Sequence, residues 1–214
     1  MKLIRKISIA SIIASASVFS INSFASTMNS YCTITHQTLS DLTCNGPAEI
    51  KDSTITGDVI IKGSAKLTHV TIKGTLTVSG PVEISNGSTI TGKSHINGPM
   101  EVDNSKLAEL EINGPLDIED SVVLGKTTIN GYLDAEHTVF EGEIIASTNR
   151  IELEKSKVKG NLIITSDEPP MVKLEDSTIV NGKVIFKNKS GTVIKKDQNS
   201  STGNVENGST ISKS

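Results

Sequence analysis

One feature of the chain fixes what it can fold into: a degenerate repeat of about 17 residues that runs through most of its length. Eight copies begin at Ala48, Ala65, Val82, Met100, Leu116, Leu133, Ile151 and Val172. The successive steps are 17, 17, 18, 16, 17, 18 and 21 residues. In each copy, apolar residues stand near offsets 0 and 2, then 7, then 11 and 13. That is period-two alternation in three short bursts, which reads as three strands per copy. No copy can bury its apolar residues alone, so each strand must pair with its equivalent in the next copy. The sequence therefore predicts an all-β fold, a single-stranded parallel β-helix (β-solenoid) of eight triangular coils of 16–18 residues.

The inward columns follow from the alignment. One is Ala48, Ala65, Val82, Met100, Leu116, Leu133, Ile151 and Val172, and a second runs two residues later from Ile50 to Leu174. A third is Ile55, Ile72, Ile90, Leu107, Val123, Phe140, Val158 and Ile179. A fourth reads Ser53, Val70, Ser88, Ser105, Ser121, Thr138, Ser156 and Ser177. Seven of its eight positions are hydroxyls, which suits a tight corner where a small side chain bonds the backbone. Glycines 57, 74, 92, 125, 142, 160 and 182 share another corner, read here as turns needing permissive φ. All six prolines fall just before offset 0, where a missing N–H does least harm to the ladder.

The flanks differ from the repeat. Residues 1–25 carry Lys2, Arg5 and Lys6 ahead of an apolar run and end in Ser23-Phe24-Ala25, the pattern of a secretory signal peptide. The run is too short to span a bilayer. Removing it takes away three bases and no acid, moving the formal charge from −3 to −6. Residues 26–47 hold the only two cysteines, Cys32 and Cys44, expected to form a disulfide in an oxidising compartment, periplasmic or extracellular, and to cap the first coil. The solenoid is assigned to 48–196, and the polar segment 197–214 is expected to be a disordered tail.

The glycine-punctuated short strands ITGDVIIKG, IKGTLTVSG and VKGNLIIT resemble the bactofilins, polymer-forming bacterial cytoskeletal proteins. The resemblance spans Ala48 to about Phe186, with a signal peptide added here. It implies a right-handed triangular helix and a non-enzymatic protein that assembles end to end.

Function on a solenoid lies on its outward columns. Glu83, Glu101, Asp117, Asp134 and Glu152 form one acidic column, and Asp103, Glu119, Glu136, Glu154 and Glu175 the next. The first column is a candidate site for divalent cations, set against a solvated face that keeps the rod soluble. Ile145, Ile163 and Ile185 are outward apolar residues, a candidate interaction stripe covered either by the tail or by another subunit. Threonines 54, 56, 71, 89 and 91 reflect β-propensity.

No catalytic set or cofactor site is legible. The four histidines are scattered, and His69 and His137 share a column four coils apart. With Arg150 the only arginine beyond the leader, no basic patch offers itself to nucleic acid or an anionic membrane. The expectation is an exported, non-enzymatic structural or interaction protein, a possible homo-oligomer or partner-docking module with no membrane span. A carbohydrate-binding or carbohydrate-active solenoid, or a cation-binding surface, is the alternative.

Overall fold

A computed structural model describes residues 25–212. Nearly all of the signal-peptide reading lies outside the described residues. Twenty-eight strands and no helix make up this part of the chain, and all strand pairings are parallel. The result is a β-solenoid of about 11 turns. The strands form one continuous sheet whose three faces wrap one interior. The first face runs from Cys32–Thr35 through residues 48–51 and 65–68 to Gly208–Ser212. The second begins at Thr38–Leu39 and ends at Ser201–Thr202, and the third begins at Ser26–Met28 and ends at Val205–Glu206.

The turn count exceeds eight because Gly191–Lys195 adds a ninth turn within 48–196 and both flanks join the ladder. Residues 26–45 form strands that pair onto Leu42–Cys44, Ala48–Ile55 and Val59–Ile61, so this segment is solenoid and not a separate cap. The segment expected to be disordered also pairs: Ser201–Thr202 on Ile179–Val180, Val205–Glu206 on Val184–Phe186, and Gly208–Ser212 on Gly191–Lys195. A polar stretch can do this because the preceding turn supplies backbone partners for every N–H and C=O that needs one. Only Ser200, Val205 and a few neighbours have to face inward there. Cys32 and Cys44 are disulfide-bonded across the first complete turn, both wholly buried.

The two first-face columns hold as aligned, each residue in register with its equivalent. Burying a Leu or Ile in such a stack stabilises by roughly 1.5–3 kcal/mol, so the columns are what closes the triangle. The eighth copy slips by one. Val180, not Ile179, pairs with Val158 and is buried, and Thr178, not Ser177, takes the hydroxyl position. The slip absorbs an extra residue at the corner, where Asp176 and Ser177 both adopt positive φ.

The hydroxyl column bridges a corner where strand pairing stops. Ser121 Oγ donates to Glu119 O at 2.6 Å and accepts the N–H of Ser105 in the turn before at 2.9 Å. Ser53, Ser88, Ser105, Thr138, Ser156 and Thr178 repeat one or both of these bonds, and Ser200 extends the series. At Val70, which has no hydroxyl, the two strands 48–55 and 65–72 instead pair straight through the corner.

The glycine corner is not built as expected. Among the described glycines only Gly87 has positive φ. Positive φ belongs instead to the residue before the hydroxyl, as at Asp52, Asn104, Asp120, His137 and Lys155, and to His36 and His69 at the same corner, where Gln37 and Val70 follow. Asn and Asp tolerate that region best, their short polar side chains bonding locally. Gly74, Gly92, Gly142, Gly160 and Gly182 are required by close approach. A Cβ on any of them would strike the carbonyl of the glycine one turn earlier.

Candidate functional site

The outward positions of the first face carry the charge. Alternation along each strand sends the residues between the inward columns to solvent, and turn-on-turn pairing aligns them. Glu83, Glu101, Asp117, Asp134 and Glu152 are in register on consecutive turns, as are Asp103, Glu119, Glu136, Glu154 and Glu175. Within a column, neighbours repeat every 4.8 Å or so.

Cations neutralise both ends of the first column but only the far end of the second. Lys66 Nζ lies 2.6 Å from Glu83, Arg150 Nε 3.1 Å from Glu152, and Lys173 Nζ 3.1 Å from Glu175. The adjacent carboxylates hold the pKa values of Lys66, Arg150 and Lys173 above their usual range, in each case chiefly by hydrogen bonding. Among the described residues, Glu101, Asp103, Asp117, Glu119 and Asp134 have no ion-pair partner. Partial burial raises the Asp134 pKa, with Glu152 and Asp117 on either side adding to the effect.

His36, His69 and His137 pair with carboxylates at the positive-φ corner, whereas His95 pairs with Glu111 on the third face. His69 Nδ1 is 2.8 Å from Asp52, and His36 Nε2 reaches the other oxygen of Asp52 at 3.6 Å. The bond from His69 holds the Asp52 pKa below the usual carboxylate range. Further along, Glu119, Glu136 and His137 bring one ligand-type atom each within 4.8 Å of one another. That set draws on the second acidic column, whereas the sequence pointed to the first. The missed signal was the polar column immediately before the hydroxyls.

Ile145, Ile163 and Ile185 stand in register on the outward side of the third face, each half-buried, with Thr128 before them and Glu206 after them in the column. Residues 201–212 do not fold back across this stripe; they stack as a further turn.

A groove runs beside the first face at the edge it shares with the third. Tyr31, Pro47, Pro81 and Pro99 make its apolar side, over the buried Ala48 and Ala65. Glu83 and Glu101 border it and also border a second groove, which continues to Asp103, Asp117 and Glu119. The sequence placed the prolines at this corner. It did not show that tyrosines join their column.

Comparison with protein-family models, with curated proteins and with solved structures finds no match for this chain.

Proposed function

We propose that the chain is an exported, non-enzymatic interaction rod that works by docking partners on its outer faces. The observation carrying this reading is the arrangement of the outward residues. Turn-on-turn stacking aligns the outward residues in columns, with five consecutive carboxylates in each of two and three consecutive isoleucines in another, bordered by open grooves. Catalysis needs groups brought together and shielded from water; the carboxylates here are spread along a flat, solvated sheet. A core disulfide supports delivery to an oxidising compartment, periplasmic or extracellular.

A second reading is self-assembly, favoured by the three stacked isoleucines of the third face, and it agrees with the bactofilin-like pattern. Light scattering over a concentration series, with polysaccharide cleavage assayed on the same samples, tests both. A docking rod stays the same size at all concentrations and releases no sugar. A self-assembling rod grows, and Ile163→Lys abolishes the growth. Sugar release lost in Asp117→Asn would replace both readings with an enzyme.

A further inference from the structure

We propose that the edge between the third and first faces, together with the acidic face beside it, docks an extended basic segment of another protein. This rests on the docking-rod reading and names the partner's chemistry. The column immediately before the first face reads Tyr31, Pro47, Ser64, Pro81, Pro99, Pro115, Tyr132, Arg150 and Met171, one residue per turn. Tyr31 and Tyr132 thus share one edge, six turns or about 29 Å apart. Tyr31 is 56 % exposed, Tyr132 47 % and Met171 48 %, half of the large apolar side chains that the described residues leave in solvent. Exposed apolar side chains aligned along one edge mark a contact surface, and tyrosine provides much contact area for little lost rotamer entropy.

The chemistry next to this edge selects the occupant. Glu101, Asp103, Asp117, Glu119 and Asp134 are unpaired over three consecutive turns, while Glu83 and Glu152 at the ends of the first column and Glu175 at the far end of the second are already neutralised. The apolar groove and the acidic groove meet along Glu83 and Glu101. A chain lying along that shared border in extended form sends alternate side chains to opposite sides. One set reaches the tyrosine–proline edge and the other the carboxylates. Same-side residues repeat about every 6.8 Å, so the three unpaired turns accept two successive lysines or arginines. A neutral glycan would leave those carboxylates unpaired, and a small cation would leave the apolar edge uncovered.

The test is fluorescence anisotropy of the purified protein with a short labelled peptide alternating lysine and valine, compared with oligolysine and with a glutamate–valine peptide. The lysine–valine peptide should bind most tightly and the glutamate–valine peptide not at all. Glu101→Gln combined with Asp117→Asn should weaken binding about tenfold, two exposed pairs at under 1 kcal/mol each. Tyr31→Ser should weaken the lysine–valine peptide more than oligolysine. Glu141→Gln, remote and paired with Lys159, should change nothing. Melting curves confirm that each variant folds.

Equal binding of oligolysine, unmoved by Tyr31→Ser, would overturn the proposal by showing that charge alone is responsible. Calcium chloride raising the melting temperature of the parent but not of the double variant, with no peptide bound, would assign the face to a cation instead. Loss of peptide binding in no variant would overturn it as well. Failure of every peptide would remove this partner class, while light scattering and the cleavage assay still decide the docking-rod reading.

Discussion

Two corners of this solenoid turn the chain by similar amounts and do so by opposite means. Between the first and second faces the turn is made by dihedral angle. Asn104, Asp120, His137 and their equivalents take positive φ, and the next residue's hydroxyl carries the hydrogen bonds that strand pairing cannot. Between the second and third faces no described residue has positive φ, and where glycine follows glycine from turn to turn, as from Gly125 to Gly182, they pack so closely that no side chain fits. A residue type at a corner can therefore answer to conformation or to space, and the two demands respond oppositely to substitution.

The largest effect should come from Gly142→Ala. Its Cβ would meet the Gly125 carbonyl, and backbone above and below leaves little room to yield. Overpacking of this kind costs about 2–3 kcal/mol, read as a lowered midpoint in urea. Ser121→Ala should follow, at about 2 kcal/mol, because it leaves the buried Ser105 N–H without its acceptor and the Glu119 carbonyl with the Asn104 N–H as its remaining donor. Thr127→Val should act in the other direction. Thr127 Oγ1 is buried with no hydrogen-bond partner, so an isosteric apolar replacement should raise stability by about 1 kcal/mol.

Lys155→Gly makes the contrast sharpest, since glycine should be neutral or mildly stabilising at the corner where φ is positive. Relief of left-handed strain, about 1 kcal/mol, is set against the added flexibility of the unfolded chain. A Gly142→Ala variant as stable as the parent, or a Lys155→Gly variant several degrees less stable, would show that the corners have been assigned the wrong way round.

The smallest expected effect is a pH dependence. The Asp58 carboxylate accepts both the N–H and the hydroxyl of Thr75, at 2.8 and 2.9 Å, and these bonds hold its pKa below the usual carboxylate range. Its stabilising contribution is present above that usual range and is lost as pH falls through the depressed value. Asp58→Asn should narrow the difference in melting temperature between neutral and acid solution.

Much of the architecture was legible because period-two alternation places each inward residue unambiguously, and a stack of eight copies averages out exceptions such as Val70. The acidic columns were equally visible, being the outward partners of columns already fixed. What escaped reading had physical causes. A glycine in sequence does not say whether φ or a neighbouring carbonyl demands it. The eighth copy hides its extra residue because Asp-Ser-Thr matches the corner pattern in either register. Residues 197–212 look unstructured by composition, yet an existing sheet edge lets a polar strand pair. Tyr31 and Tyr132 join the proline edge through a register that the spacing of isolated tyrosines does not reveal.

The outer columns are continuous only because a single ladder runs through the whole described chain. Small-angle X-ray scattering of the purified monomer measures this most directly. Eleven turns predict a rod whose strand stack is about 48 Å long, with no expanded tail. A stack nearer 34 Å, the span of eight turns, with added scattering from a flexible C-terminal segment, would contradict it.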